Sequence, residues 1–494
     1  MLAIDIIIPK TRPWHWQRVL INRLQRQGHD IGVQAQAGTA GVPFTLAAML
    51  GLERKAFRRK GAALASPAEI AEVRRLRKPA LRIDLTGKAA RSDAPTLTLS
   101  FDGSPSPSAI VAALAGGRLP AIEAVRDGET VIARALPMVD KRESIALGLE
   151  DVLARALTLL DKMVRSADGT GLAGIGPIAT VENGARGGVA VAASYVAAAL
   201  PRLGREAIRR VRYRHAHWRV GYRLIDGPGV AETNTLGSGW SELPDSGDRF
   251  YADPFAFEHD SRRFIFVEDY PHHTKKAVIS VAVLDGRGVA DKPYPVLEEP
   301  HHLSYPQVFQ RDGAIWMLPE ASASGRLTLY RATGFPDRWT AEAALLTGCE
   351  ISDATLLEHD GLLWLFATDR DGFGSTSDTL VVFHATSLLG PWTAHPMNPI
   401  LIDRRAARPG GAFIRRDGRI FLPVQDGTLG YGGGLGIAEV LELDRASVRM
   451  SAPRPIAPRG DWPHPQIHTL NRWGSLEVID GIVSVRKNQS GPGS

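Results

Sequence analysis

The chain has 494 residues, of which 44% are apolar, and its formal net charge is +6. This length predicts two to four domains with substantial cores. The positive charge is mild and its basic residues are not gathered in one place, so nucleic acid is not an expected partner. A single cysteine, Cys349, excludes an intrachain disulfide framework and indicates a reducing compartment, so we expect a cytoplasmic protein.

The N-terminal residues predict a strand rather than a signal peptide. Met1 to Pro9 lacks a basic region, and Asp5 interrupts its short apolar run. No stretch of the sequence reaches the roughly 18 uncharged apolar residues that a membrane-spanning helix needs.

Strands and helices alternate along residues 1–166. Helical spacing of apolar residues, as in Trp16, Leu20 and Leu24, distinguishes the helices from short apolar strands. The pattern predicts strands at 4–9, 31–35, 81–85 and 96–101, helices at 14–28, 44–52, 108–115 and 141–165, and a hairpin at 122–135. Residues 1–166 therefore predict an α/β domain with a mostly parallel sheet.

This arrangement resembles the formyltransferase-like fold, in the opening strand followed by Trp14 and in the segment Leu81 to Gly87. The resemblance implies an active site with an Asn, a His and an Asp, the His lying in a His-Pro-Ser-Leu-Leu-type segment. No such segment occurs here, and His15 and His29 are the only histidines of residues 1–166. A dinucleotide-binding Gly-x-Gly-x-x-Gly after the first strand is also missing. We interpret the domain as degenerate and non-catalytic, with an active domain as the alternative, and we expect no cofactor.

Residues 167–239 form a predicted connector. Residues 167–188 are rich in Gly and Ala and predict a linker, and residues 189–203 predict an Ala-rich helix. Eight of the fifteen residues from 205 to 219 are Arg or His. This segment is either a helix packed between domains with a solvated basic face, or, through residues 189–219, a peripheral contact with an anionic membrane.

A repeat occupies the rest of the chain, residues 240–494. Each copy is an apolar strand, an Asp-Gly-type turn and a second apolar strand, and successive turn aspartates lie 52, 48 and 57 residues apart. A weaker fifth copy spans residues 468–481. This period predicts a five-bladed β-propeller, in which the strand Trp218 to Leu224 closes the last blade. The turn aspartates, which we interpret as structural, are Asp260, Asp312, Asp360 and Asp417.

Four carboxylates occupy equivalent positions in this repeat. Asp253 and Asp353 each lie seven residues before a turn aspartate, and Glu268 and Glu320 each lie eight residues after one. Because the innermost strands of a propeller face its axis, these side chains are expected to converge on one cavity. Paired carboxylates with different pKa values are what glycoside hydrolysis requires. The alternatives are that the aspartates cap strands and that the glutamates pair with blade arginines.

Asp253-Pro254 and Asp353-Ala-Thr resemble the base and the pKa-modulating aspartate of the five-bladed glycoside hydrolase family 43-like superfamily. Other motifs resemble more closely the N-terminal propeller of the glucosamine inositolphosphorylceramide transferases and their bacterial relatives, over residues 240–483. In the plant proteins of that group, sugar transfer is attributed to a separate glycosyltransferase domain, for which the sequence has no evident counterpart. These motifs are Ser304-Tyr-Pro, Pro319-Glu-Ala-Ser322, Leu329-Tyr-Arg-Ala332, Ser387-Leu-Leu-Gly-Pro-Trp392, Arg408-Pro-Gly410 and His468-Thr-Leu-Asn471.

The sequence departs from family 43 at the start of blade four. The resemblance implies a general-acid Glu there, but Ala407 to Gly411 contains no carboxylate. Glu320 is then the best candidate acid. An arginine in that place, Arg408, favours binding of an anionic group such as a phosphate or a sugar acid.

We therefore expect a carbohydrate-active enzyme that cleaves or transfers a glycosidic bond, in bacterial surface-glycan or glycolipid metabolism. The expected catalytic residues are Asp253, Asp353 and Glu320, with no metal, and the substrate is a glycan, a sugar phosphate or a glycolipid. Two alternatives stay open: a non-catalytic glycan-binding module, and a glycosyltransferase whose propeller binds the acceptor. The expected substrate-binding residues are Arg408, Glu268, His272, His273, His302, Gln425 and His468.

Overall fold

The computed structural model divides into two compact units, residues 1–208 with 373–375, and residues 209–372 with 376–494. It describes residues 1–38, 44–56, 63–73, 75–87, 93–170, 172, 176–177, 197, 200–214 and 216–487. Most of the linker predicted at 167–188 and most of the helix predicted at 189–203 lie outside these residues, and residues 167–170 belong to a helix rather than to a linker.

A six-stranded mixed sheet is the centre of the first unit. Its strands are β1 (Ala3–Pro9), β2 (Asp30–Gln36), β3 (Leu81–Asp84), β4 (Thr96–Phe101), β5 (Ile122–Arg126) and β6 (Thr130–Ala135). Their order is β2-β1-β3-β4-β5-β6. The first four strands pair in parallel, and β5 and β6 add an antiparallel hairpin. The predicted α/β domain with a mostly parallel sheet is thereby confirmed.

Helices accompany this sheet. Among the helices of the described ranges, none is long and apolar enough to cross a membrane. The buried residues of α1 recur at helical spacing, at Trp16, Leu20 and Leu24, as the sequence pattern predicted. The helices are α1 (His15–Arg26), α2 (Phe44–Ala56), α3 (Ser108–Ala115), α4 (Ile145–Thr170) and α5 (Leu200–Arg212), whose last turn belongs to the second unit.

The second unit is a five-bladed β-propeller, as predicted. Blade one contains β10 (Arg249–His259), β11 (Arg262–Pro271), β12 (Val278–Leu284) and β13 (Tyr294–Leu297). Blade two contains β14 (Ser304–Arg311), β15 (Ala314–Glu320), β16 (Arg326–Gly334) and β17 (Arg338–Thr347). Blade three contains β18 (Ile351–His359), β19 (Leu362–Asp369), β20 (Thr379–Ala385), β21 (Thr393–Ala394) and β22 (Leu401–Ile402).

Blade four is assembled from shorter strands. It contains β23 (Arg408–Pro409), β24 (Ile414–Arg416), β25 (Arg419–Gln425), β26 (Leu435–Leu443), β27 (Val448–Met450) and β28 (Arg454–Pro455).

A two-residue turn joins the first two long strands in each of blades one to three. The turn aspartates Asp260, Asp312 and Asp360 have φ of 48°, 51° and 48°, the left-handed conformation that tight hairpins require. Their structural role is confirmed.

The last blade is closed by a strand from the other end of the propeller sequence. Its strands are β30 (Leu470–Trp473), β31 (Leu476–Ile482), β7 (Trp218–Leu224) and β9 (Ser241–Glu242), in the order β30-β31-β7-β9. The pairing of β31 with β7 is antiparallel and runs from Leu476 opposite Leu224 to Ile482 opposite Trp218. The predicted closure by Trp218 to Leu224 is confirmed. A short helix α6 (Val230–Thr233) and a parallel pair, β8 (Thr235–Gly237) with β29 (Ala457–Gly460), complete the unit.

Five apolar clusters hold the ring together, one between each pair of neighbouring blades. Phe266 of blade one packs with Met317 of blade two, and Phe366 of blade three packs with Leu422 of blade four. Further clusters join blades two and three, four and five, and five and one. Because the fifth interface contains β7 residues, closure of the last blade contributes to the core of the whole ring.

We predict that Gly221 in β7 tolerates no side chain. A Cβ at this position would lie 2.8 Å from the Trp462 ring and 3.2 Å from Ile479. Gly221→Ala should lower the free energy of unfolding of the propeller by about 1–3 kcal/mol through overpacking, measured by urea denaturation. Gly227, whose Cβ would meet nothing within 4 Å, provides the control. Equal stability of the Gly221→Ala and Gly227→Ala variants would contradict the packing of this interface.

Candidate functional site

Equivalent β-bulges aim side chains from the innermost strands toward the axis. In each of β10, β14 and β18 the register shifts by one residue at the start of the strand. The shifted residues are Asp253, Tyr305 and Asp353, with φ of 49°, 47° and 49°. Asp tolerates this left-handed conformation better than Tyr does, and bulges commonly redirect side chains at functional sites. The repeat register seen in the sequence therefore places Asp253 and Asp353 at equivalent structural positions.

Asp353 forms a bidentate ion pair with Arg408. The Arg408 Nε donates to its Oδ2 at 2.6 Å and the Arg408 Nη2 to its Oδ1 at 3.2 Å. Gln425 Nε2 also donates to Oδ2, at 2.7 Å. Asp353 is 1% exposed and Arg408 is 7% exposed. The guanidinium expected to bind a substrate anion thus already carries a buried carboxylate on one edge.

A second charged centre surrounds Asp253. Thr469 Oγ1 donates to its Oδ1 at 2.9 Å, and His468 Nε2 lies 3.3 Å from the same oxygen. The other ring nitrogen of His468 lies 2.6 Å from Asp480 Oδ2, an ionic contact rather than an aligned hydrogen bond. Asp480 also accepts hydrogen bonds from the backbone amides of His468 and Thr469. Trp218 of the closing strand stacks on the His468 ring at 3.9 Å.

Burial and neighbouring charges determine the protonation of these groups. Burial raises the pKa of Asp253 to about 7, against the opposing charge of His468. Burial likewise raises the pKa of Asp353 to about 7, although Arg408 opposes the shift. For His468, burial disfavours the charged ring, but Asp480 and Asp253 outweigh it and raise the pKa to about 9. His468 is therefore an imidazolium at neutral pH, and its ring lies between the carboxyl groups of Asp253 and Asp480.

The described residues offer one group that could hold a metal ion, formed by Asp253, His468 and Asp480. Their ligand atoms lie within 4.8 Å of one another. A metal requires a neutral imidazole, whereas both ring nitrogens of this histidine face carboxylates and its pKa is raised. The arrangement as it stands is an internal ion-pair cluster.

A cavity of about 850 Å³ lies in this unit. Its volume is in the range of small-molecule sites. Of the residues singled out from the sequence, Glu268, Glu320, Arg408, His272 and His302 line it. The other lining residues are Arg210, Tyr213, Arg214, Ala216, Trp218, Phe250, Tyr270, Lys275, Ser304, Tyr431 and Lys487.

The remaining singled-out residues do not line the cavity. Asp253, Asp353, Gln425 and His468 are buried, with 4%, 1%, 5% and 1% exposure, and none of them lines it. His273 is exposed and lies outside the lining. Asp353 is paired with the lining residue Arg408, and Asp253 contacts His468, on which the lining residue Trp218 stacks.

Two glutamates from adjacent blades reach the cavity instead. Glu320 accepts a hydrogen bond from Ser322 Oγ at 2.8 Å through Oε1, and its Oε2 lies 3.6 Å from Arg408 Nη2 without a hydrogen bond. Glu268 Oε1 lies 3.3 Å from His302 Nε2. Burial opposes charge on His302, but the contact with Glu268 outweighs it and raises the His302 pKa.

A chain of three polar side chains adjoins the cavity wall. His217 is buried, its Nε2 lies 2.9 Å from Asp245 Oδ2, and its Nδ1 lies 3.2 Å from Nε2 of His272. Burial, followed by the positive charge of Arg214, lowers the pKa of His272 to about 4. His272 is therefore neutral at neutral pH and is held in place by its neighbour.

Sequence reasoning missed the aromatic and basic residues of the wall. Trp218 and Tyr431 belong to the closing strand and to a glycine-containing loop, and neither segment carried a chemical motif. Arg210 and Arg214 lie in the basic segment 205–219, which was singled out, but only for a membrane or packing role. One signal could have located them. A strand that closes the last blade begins near the start of that blade's innermost strand, so the residues just before Trp218 must lie close to the axial cavity.

Comparison with known proteins identifies relatives of the propeller. Residues 240–453 match the family model described as "Glucosamine inositolphosphorylceramide transferase 1, N-terminal". The resemblance to these transferases is thus confirmed for that segment. A glucosamine inositolphosphorylceramide transferase 1 from Arabidopsis thaliana is 33% identical over 204 residues, which are 40% of this chain and 26% of the relative. Its counterpart from Oryza sativa subsp. japonica is 36% identical over 201 residues, 40% of this chain and 27% of the relative.

The chain therefore spans about a quarter of the length of the curated relatives it matches. Among solved structures, a GH43_1 enzyme from Xanthomonas citri covers 49% of this chain and 88% of its own, with 15% identity and a TM-score of 0.34. The catalytic domain of a GH62 α-L-arabinofuranosidase from Coprinopsis cinerea covers 56% and 93%, with 15% identity and a TM-score of 0.37. The formyltransferase-like resemblance of residues 1–166 stays a prediction.

The Asp353–Arg408 pair makes a testable contribution to stability. Asp353→Asn leaves a buried guanidinium without its carboxylate and should cost about 3–5 kcal/mol of unfolding free energy. Adding Arg408→Met removes the stranded charge, so the double variant should be more stable than the sum of the two single losses predicts. Urea denaturation followed by tryptophan fluorescence measures all four proteins. Strictly additive losses would contradict the pairing.

The raised pKa of His468 predicts a stability that falls with rising pH. The folded-state pKa is about 9 and the ordinary value is 6.5, so the stabilisation is complete below pH 6.5 and is lost as pH rises through 9. Between pH 8 and 10, above the range in which Asp253 and Asp353 titrate, the wild type should lose about 1.4 kcal/mol. His468→Gln should be less stable at pH 7 and should remove this pH dependence. A variant that keeps the wild-type slope would show that another group causes it.

Proposed function

We propose that the propeller cavity binds a carbohydrate that carries an anionic group, and that it cleaves or transfers a glycosidic bond of that carbohydrate. The observation that carries the proposal is the meeting of Glu268, Glu320 and Arg408 in one cavity. Two carboxylates can exchange protons with a sugar, and a guanidinium can bind a phosphate or a sugar carboxylate.

The composition of the cavity wall supports a sugar ligand. Trp218, Phe250 and Tyr270 offer aromatic faces, and the polar groups beside them offer hydrogen bonds. A mostly apolar wall with a few convergent polar groups is typical of small-molecule sites. The names of the plant relatives support a glycan-related role, which we carry to this chain as part of the proposal.

Within this proposal, Glu320 acts as the acid. Its side chain lines the cavity, and its buried Oε2 has no hydrogen-bond partner among the described residues. Glu268, paired with His302, acts as the base. Asp253 and Asp353 act as positioning residues, because neither lines the cavity. Asp353 contacts the cavity residue Arg408, and Asp253 contacts His468. The assignment of Asp253 as base, expected from the sequence, is replaced here because His468 and Thr469 occupy its carboxylate.

A second candidate function is a non-catalytic glycan-recognition module. Arg408 stands where family 43 enzymes were expected to provide an acid, and its bidentate bond closes off Asp353. Such a site can bind a glycan without hydrolysing it. A cytoplasmic location and a role in bacterial surface-glycan metabolism stay predictions for either function.

The deciding experiment measures turnover and binding across a panel of aryl glycosides and bacterial glycans, including phosphorylated sugars. Glu320→Gln should lower the turnover rate by about 10²–10⁴-fold, the usual loss on removing a general acid, while binding is retained. Glu358→Gln, which changes a glutamate that is 63% exposed on blade three, is the matched control and should retain activity.

The outcomes separate the two candidates. Loss of turnover in Glu320→Gln alone supports the enzyme. Absence of turnover in the wild type with retained glycan binding favours the recognition module. Absence of both turnover and binding in the wild type would contradict both candidate functions.

A further inference from the structure

Four basic side chains besides Arg408 line the cavity. They are Arg210, Arg214, Lys275 and Lys487, which we call the basic rim. The two carboxylates among the described lining residues, Glu268 and Glu320, belong to blades one and two. The rim therefore brings four positively charged side chains to a cavity that two carboxylates also line.

The rim is fixed to the propeller by backbone hydrogen bonds. The amide of Arg214 donates to the carbonyl of Val485 at 2.9 Å, and the amide of Lys487 donates to the carbonyl of Arg212 at 3.0 Å. Lys487 Nζ donates to the carbonyl of Arg210 at 2.6 Å. The last turn of α5 is thus held against the segment that follows β31, beside the cavity.

This same turn exposes large apolar side chains. Val211 is 75% exposed, and Ile208, one turn earlier on the same helix face, is 55% exposed. Arg209 and Arg212 flank them and are also exposed. A helix end with an apolar stripe between arginines is typical of segments that lie in the interface of an anionic membrane.

We propose that the last turn of α5 and the basic rim dock onto the surface of a membrane that contains anionic phospholipids, so that the cavity opens toward the headgroups. Positive charge alone would suit a nucleic acid equally well. The exposed Val211 and Ile208 favour the membrane, because apolar side chains gain by entering the headgroup boundary and gain nothing from phosphates.

Docking has a consequence for how a ligand reaches the cavity, and this consequence rests on the proposed function. A glycan attached to a lipid headgroup would enter the cavity from the membrane side, with its anionic group passing the basic rim. The docking itself requires no sugar, so it can be tested independently.

The experiment is co-sedimentation of the full chain with vesicles of phosphatidylcholine alone and with vesicles of equal parts phosphatidylcholine and phosphatidylserine, without any sugar. The wild type should bind the anionic vesicles and not the neutral ones, and added salt should weaken the binding. Arg209→Gln with Arg212→Gln should lower the partition coefficient about 25-fold, since each charge near an anionic surface contributes about fivefold. Neither residue lines the cavity. Val211→Ser should lower it about tenfold.

The matched control is Arg445→Gln with Arg459→Gln, which removes the same charge from two exposed arginines outside the rim. It should bind as the wild type does, and circular dichroism checks that every variant is folded. Equal binding to both vesicle types, or equal loss in the control, would overturn the proposal. So would binding to a single-stranded RNA with no binding to vesicles. Because no glycan is present, none of these results depends on whether the cavity acts on a sugar.

Discussion

The pairing of β7 with β31 is the interaction on which the propeller depends. A ring of sheets has a free edge wherever it is not closed, and unpaired edges invite aggregation. Here a strand from before the first blade completes the last one, and its residues also enter the core shared with blade one. The same strand begins at Trp218, which stacks on His468. The pairing that closes the ring thus also places Trp218 in the wall of the cavity.

Inside the ring, charge is arranged in two layers. The inner layer consists of two buried ionic centres, Asp353 with Arg408 and Asp253 with His468. Burying such groups is costly unless each has a partner, so removing one member of either centre is expected to destabilise the propeller. The outer layer, with Glu268 and Glu320, faces the cavity. This division explains how the repeat can bury its equivalent aspartates while placing different carboxylates in the cavity wall.

The sequence predicted the fold closely because its signals are local. The turn aspartates, the apolar strands around them and the strand Trp218 to Leu224 were all read from spacing and residue type, and the hairpin and bulge geometries followed. It predicted the site only in part. Asp253 and Asp353 do occupy equivalent bulges, but no sequence pattern shows that Arg408, 55 positions away from Asp353, forms an ion pair with it. Partners so distant in the chain leave no periodic signal.

Composition and repeat spacing by themselves determined an α/β domain followed by a five-bladed propeller, and a set of axial carboxylates. Only the tertiary structure decided which of these line the cavity. The choice depends on the reach of side chains from different blades: Arg408 extends to Asp353, and His468 lies between Asp253 and Asp480. It also depends on where the chain brings Arg210 and Arg214, which hydrogen bonds to the C-terminal segment place beside the cavity. Such contacts are set by three-dimensional packing, which no local pattern encodes.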